Sequence, residues 1–402
     1  MVDVAVTLIL RFADVGVATY ASLRVVGEPA RTVTWGLQEP ELVAALDQLS
    51  TALPDPRASE TRRDAVERAI ATGPFATPDT ELAIARTLGL SLVAPAAWQL
   101  LLECVASPRA TLFVSPSARL ARVPWGLLAL PGDDKFRLME LVDVLMAAPS
   151  NIVNSARTPK CWNDSGDRPP LLVLDPRVPG QRPDSDLGSV LGRPSPETSL
   201  AQHFAELMEH RTVLPDVSSA VELFRRTDAD RPWLARLLDR EPSRLLYVGH
   251  ATAADGDVGH ADRAALHLAD ENPLTAADLM SAKLPMPPRI AMIACASGGD
   301  YQFDEATGLV AAMILGGAQL VTATLWSLPT TAGYRQFAPA TGDHDPMAEA
   351  IIGVDRAHQE SDAGRAVNSW QRQQMRQWRD GDAGASPVYW AALATFAVDG
   401  AR

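Results

Sequence analysis

RIAMIACASGGDYQFDEATGLVAAMILGGAQLVTATLW, residues 289–326, reads as a strand, a helix and a second strand in succession. RIAMIA is apolar after its first residue with no polar alternation, the pattern of a strand covered on both faces. Cys295 follows it, then the small residues Ala296, Ser297, Gly298 and Gly299. DEATGLVAAMILGG has acids at its start and glycines at its end, as a helix between strands does. AQLVTATLW is again strand-like. This alternation predicts parallel pairing, hence a mostly parallel sheet flanked by helices on both faces and an α/β fold class.

RLLYVGHATA, residues 244–253, repeats the plan, with His250 where the other stretch has Cys295. Pro-Ser-Arg leads into the first strand and Pro-Pro-Arg into the second. In open α/β sheets the ligand crevice lies beyond the carboxyl ends of the strands. His250 and Cys295 are 45 residues apart, room for a short strand at 265–269 and a helix at 275–282. That helix carries a capping box, Thr275 with Asp278. If the two strands are neighbours, both side chains emerge at one sheet edge. Thiol catalysis needs such a pair. The thiolate is the nucleophile, and a nearby imidazole can take the thiol proton and later protonate the leaving amine. The small residues after Cys295 permit a turn with exposed amides. The Cys295 N–H and a second donor beside the histidine can then face a developing oxyanion. Singly, a cysteine in an apolar run or a histidine after a strand is more often structural; the matched placement favours the dyad.

Around this core the chain divides in two. Residues 1–79 read as a small N-terminal β-plus-helix unit, with strands at 4–10, 18–26 and 32–35 and helices at 39–53 and 57–72. Residues 80–402 form the main domain. It has helices at 80–88 and 95–106, a strand at 110–116, a helix beginning near Trp125 and a buried strand at 169–176. An exposed loop at 177–198 follows, then helices at 198–210, 218–226 and 231–239. The tail reads as helices at 346–358 and 362–379 and a last strand at 389–398. No repeat of solenoid length occurs.

Composition narrows the classes. Of 402 residues 47% are apolar, enough for a full core, and the net charge of −13 disfavours nucleic acid as a partner. The three cysteines, at 104, 161 and 295, offer neither a disulfide framework nor zinc spacing, so no metal and no cofactor are expected. Free thiols fit a reducing compartment. The N-terminal apolar run lacks a basic start and a cleavage site, and no segment is long and apolar enough to span a membrane, so the protein is expected to be cytoplasmic. Abundant Arg, Ala, Asp and Pro relative to Lys and Asn suggest a GC-rich bacterial source.

Several segments together resemble CHAT domains, caspase-like proteases of the caspase–separase superfamily: LLYVGHA, LHLADENPLTAADL, RIAMIACASGG, DEATGLVAAMILGGAQLVTATLWSL and SPVYWAALATFAVDG. ATLFVSPSARLARVPWGLLAL, LVDVLMAAPSNIV and LLVLDP extend the likeness upstream, so it covers about 80–402. The resemblance implies a caspase-like fold and hydrolysis of peptide bonds through a thioester on Cys295, with His250 as general base. It also implies an oxyanion hole from the amides of Ala251 and Cys295. The family usually has glycine where this chain has Ala251, and unusual φ values come harder to alanine. The implied partners are a protein or peptide substrate and a regulatory protein, the latter expected because residues 1–79 read as a β-plus-helix unit and not as tetratricopeptide repeats; a signalling or defence setting follows from the family. The stretch holding Trp326 and Ser327 borders the substrate in caspase-like folds, although core packing of Trp326 is equally consistent. Asp255 and Asp257 are candidates for an acidic pocket or a solvated loop. Asp304 and Glu305 stabilise a helix N-terminus or anchor the pocket. His260, His267 and Asp270 do not make a metal set. A second reading keeps the fold without the catalysis, as a CHAT-like adaptor that binds proteins; Ala251 is the feature in its favour.

Overall fold

β7 (Arg244–Gly249) and β11 (Arg289–Ala294) are buried at every position, because neighbouring strands occupy both edges and helices both faces. The computed structural model describes residues 6–105, 109–132, 135–148, 150–182, 185, 187–252, 261–294, 305–338 and 344–398. The remaining strands are β1 (Thr7–Val15), β2 (Ala18–Val25), β3 (Glu28–Gly36), β4 (Thr111–Ser115), β5 (Asp143–Ala147), β6 (Leu171–Leu174), β8 (Ala251–Thr252), β9 (Ala265–Leu266), β10 (Leu274–Thr275), β12 (Leu320–Thr324) and β13 (Leu393–Ala397).

Among the described residues, ten of the thirteen strands form one sheet in the order β3-β2-β1-β4-β5-β13-β12-β11-β7-β6; β8, β9 and β10 form a small antiparallel sheet. Pairing in the large sheet is parallel except for β1/β2, β2/β3 and β12/β13. The antiparallel β12/β13 step divides it into two parallel blocks of opposite direction. β6, β7, β11 and β12 therefore present all their carboxyl ends at one edge.

Two sets of helices cover the sheet. Glu305–Leu315 packs with Ala276–Ala282 and Ser150–Val153; Pro346–Ala357 packs with Ala363–Arg379 and Ser199–His210. Alternation along β12 serves both faces. Thr322 faces the second set, its hydroxyl 2.8 Å from His358 Nε2 and 3.0 Å from Thr395 Oγ1 of the neighbouring strand. Val321 and Ala323 point to the first. The N-terminal strands β1, β2 and β3 pair antiparallel and continue the same sheet, since β1 pairs in parallel with β4. Phe12 of β1 lies 4.9 Å, centroid to centroid, from Trp125 of the following segment.

The structure corrects some element boundaries. At Trp125 there is only a 3-10 turn, Trp125–Leu127, and 218–226 shortens to the 3-10 turn Ala220–Leu223. The last strand starts later because Pro387–Trp390 forms a helical turn capped by the Ser386 hydroxyl. β5 is a strand that the sequence pattern does not mark, since its first residue is an acid. Asp143 is nevertheless buried, paired with Arg372 Nη1 at 2.8 Å and Arg365 Nε at 3.0 Å.

Buried charge holds the amino ends of the central strands. Arg244 and Arg289 start β7 and β11 opposite one another, 1% and 2% exposed. Arg244 binds Asp355 through Nε at 3.2 Å and Nη2 at 2.8 Å. The other Asp355 oxygen bonds to His203 Nε2 at 2.9 Å and Gln359 Nε2 at 3.0 Å. Burial pushes the Asp355 carboxyl up, but the Arg244 charge and these donors outweigh it and bring it down to about 2. Arg289 donates to the carbonyls of His358 and Ser361 and stacks on Trp162, 3.8 Å from its ring centroid.

His358, wholly buried beside these guanidiniums, is pushed down to about 3, by burial first and then by Arg289 and Arg244, against the pull of Asp355. Above pH 6.5 it is neutral folded or unfolded. Below that the unfolded chain takes a proton that the folded chain refuses until about pH 3, so stability falls across this window. His358→Gln should be less stable than the parent at pH 7 yet lose stability less steeply in acid, by up to about 1.4 kcal/mol per pH unit. Denaturant midpoints from pH 7 to 4 measure this; parallel curves would count against it.

Candidate functional site

The site edge is set by register. Ala294 of β11 lies opposite Gly249 of β7, and Leu174 of β6 opposite Val248. The carboxyl ends of β11 and β7 are level and β6 ends one residue before them; the next residues along the chain are Cys295, His250 and Asp175. Cys295 lies outside the described residues, as do Asp255, Asp257 and Asp304.

His250 leaves β7 and enters β8, with 6% of its surface exposed. Its backbone is held on two sides. The carbonyl accepts from His267 N at 2.9 Å and from the Tyr247 hydroxyl at 2.7 Å; that hydroxyl also lies 2.8 Å from the His267 carbonyl. The Tyr247 ring lies over Gly249. A Cβ at 249 would come within 2.7 Å of the phenol oxygen, so only glycine lets the tyrosine hold the turn. The imidazole Nε2 is 3.0 Å from the Gly188 carbonyl. A carbonyl only accepts, so Nε2 carries the hydrogen and Nδ1 is the ring nitrogen able to take a proton in the neutral form. His267, next to it, is pushed down to about 4, by burial and then by His250. It stays neutral at physiological pH, its Nε2 3.2 Å from Thr252 Oγ1.

The CHAT domain family profile matches residues 82–400. The chain belongs to the CHAT domain family. A search of curated proteins finds no match. Among solved structures, one that it resembles is the separase–securin complex of Saccharomyces cerevisiae, at 9% identity and a TM-score of 0.47. The match covers 98% of this chain and 30% of that one, so the chain spans under a third of that protein's length.

In this CHAT domain Ala251 lies in β8 and is not among the residues at positive φ, so an alanine carries no conformational cost there. The His250 carbonyl accepts from His267 N, which makes Ala251–Leu266 the alternate pair of the antiparallel ladder. The Ala251 N–H is therefore directed away from β9. Trp326, expected either at the substrate or in the core, is packed in the core: its side chain is fully buried, Nε1 donates to the Val388 carbonyl at 2.9 Å, and the ring lies against Phe75 at 6.1 Å. An indole at the end of a strand buries more apolar area in the core than any other side chain could, and Val388 satisfies its N–H. Ser327 follows at the site edge, half-buried. Among the described residues no cluster of His, Cys, Asp and Glu could hold a metal ion, and no single helix is long and apolar enough to cross a membrane.

The expected exposed loop at 177–198 is partly drawn in. Gly188 and Val190 are buried, and the tether is Asp175 at the end of β6. Its carboxylate accepts from Ser189 Oγ at 2.8 Å, from the amides of Val190 at 3.1 Å and Leu191 at 3.3 Å, and from Arg225 Nη1 at 3.2 Å. Burial pushes the Asp175 carboxyl up; Arg225 and these donors oppose that. The sequence held one signal for this, an acid directly after an apolar strand in LLVLDP. A cleft of about 1150 Å³ opens on this side, lined by Ser189–Pro194 of the loop, by Arg177 and Arg225, and by Thr330 and Arg335 beyond β12.

Proposed function

We propose that this CHAT domain is a cysteine endopeptidase in which His250 is the general base and Cys295 the nucleophile. The supporting observation is the β7–β11 register, which sets residues 250 and 295 next in line at adjoining strand ends, with the His250 tautomer fixed by Gly188. Cys295 Sγ attacks the peptide carbonyl carbon as its proton passes to His250 Nδ1. The C–N bond then breaks as that proton goes to the departing amine, leaving a thioester. Water, deprotonated by His250, hydrolyses the thioester and restores the thiol. The N–H groups of Ala251 and Cys295 receive the oxyanion in both steps; one such donor is typically worth about 3 kcal/mol. The substrate peptide runs through the cleft between Ser189–Pro194 and Thr330, past Ser327. The protein acts in a bacterial cytoplasm on a protein substrate, with a partner protein controlling access.

The test is covalent labelling. A panel of peptidyl electrophiles should form a stoichiometric adduct on Cys295, seen by intact mass and peptide mapping, and the adduct should be absent from His250→Ala under the same conditions. Labelling that falls on the exposed Cys161 alone would sink the proposal.

A further inference from the structure

The Gly188 carbonyl receives two donors. His250 Nε2 lies 3.0 Å from it and Arg225 Nη1 also 3.0 Å. The same Arg225 nitrogen is 3.2 Å from Asp175 Oδ1, and Asp175 holds the backbone of the next residues, Val190 and Leu191. The carbonyl that fixes the histidine thus belongs to a loop with few elements of its own, pinned from below by an ion pair. Asp175 is wholly buried and the Arg225 side chain 15% exposed. Both sit at positive φ, 50° and 53°, which non-glycine residues keep only where the surroundings hold them, and such residues cluster at working sites. Two backbone bonds anchor them to the sheet: Asp175 N to the Val248 carbonyl at 2.6 Å and Arg225 N to the Leu174 carbonyl at 3.1 Å.

We propose that Asp175 and Arg225 are positioning residues for His250: together they aim the Gly188 carbonyl at Nε2 and so hold the ring in the tautomer that leaves Nδ1 to accept a proton. This rests on the reading of His250 as the base. The division of labour follows from charge. A carbonyl with two lone pairs serves both donors at once. The guanidinium alone would oppose the imidazolium formed during the reaction; Asp175 neutralises it while tying down the loop. Without Arg225 the carbonyl is free to swing, and both imidazole tautomers become populated.

The test reads His250 directly. In the parent, ring ¹⁵N shifts should show the Nε2-H tautomer. Arg225→Met should give a mixture of tautomers and slow the reaction of Cys295 with iodoacetamide at pH 7 about 10-fold, in a Cys161→Ser background. Arg225→Lys, which keeps the charge, should recover most of that rate. A merely structural role would shift the melting temperature without moving the tautomer. If Arg225→Met does not fold, the parent spectrum and Arg225→Lys still decide: an Nδ1-H tautomer in the parent overturns the proposal. Parent-like tautomer and rate in Arg225→Met overturn it while leaving the base assignment standing. A Cys295 rate unchanged in His250→Ala removes the base assignment and this proposal with it.

Discussion

Replacing His250 with alanine is expected to lower peptide hydrolysis by about 10²–10⁴-fold, and replacing Cys295 with alanine to abolish it. The two effects differ in kind. Without Cys295 no thioester can form. Without His250 the thiol is still present, but at neutral pH only a small fraction is thiolate, and no group returns a proton to the leaving amine. Neither change should unfold the chain. The His250 side chain bonds to the Gly188 carbonyl, which keeps Arg225 as a partner, so losing that bond costs about 1 kcal/mol. Co-expression with the products of neighbouring genes, followed by mass spectrometry of new termini, provides the assay. New termini that persist in a clean Cys295→Ala preparation would end the peptidase assignment.

The largest loss of stability is expected from Asp355→Ala, about 3–5 kcal/mol. Its carboxylate is fully buried and accepts from Arg244, His203 and Gln359. Removing it leaves the Arg244 guanidinium, 1% exposed, as an uncompensated charge under the central strand. The same logic says the pair is replaceable. Asp355→Leu combined with Arg244→Met should recover most of the loss, because apolar groups of similar volume need no solvation. Urea midpoints at unchanged slope measure both. A single Asp355→Ala variant within 0.5 kcal/mol of the parent, by the usual span for surface changes, would show that this cluster does not hold the sheet.

The central strands were legible because they are buried on both faces. RLLYV, RIAMIA and LLVL are short, nearly continuous apolar runs bounded by proline, arginine and glycine, and runs of that length have few uses other than a buried strand. Helices with plain start signals were legible too: Thr275 with Asp278 forms the capping box, and Thr198 caps Ser199–His210. β5 was not, since it opens on an acid whose partners, Arg372 and Arg365, lie more than 200 residues away in sequence. Trp326 was ambiguous for a similar reason. An aromatic at a strand end suits a core or a cleft equally, and only the position of Phe75 and Val388 places it in the core.

The site divides along the same line. Local pattern named His250 and Cys295, because a strand running into a polar residue and then into small ones is a feature of consecutive residues. It could not name Gly188, which acts through a carbonyl that every residue possesses, nor Asp175 and Arg225, which matter only because the end of β6 and the segment after Leu223 meet beside β7. By itself the sequence determined the class of sheet, its most deeply buried strands and the residues proposed to carry the chemistry, since periodicity and burial follow from side-chain polarity alone. The tertiary structure decided which strand ends stand side by side, which nitrogen of His250 holds its proton and what aims the carbonyl that fixes it. These depend on contacts between distant segments, and no local pattern encodes them.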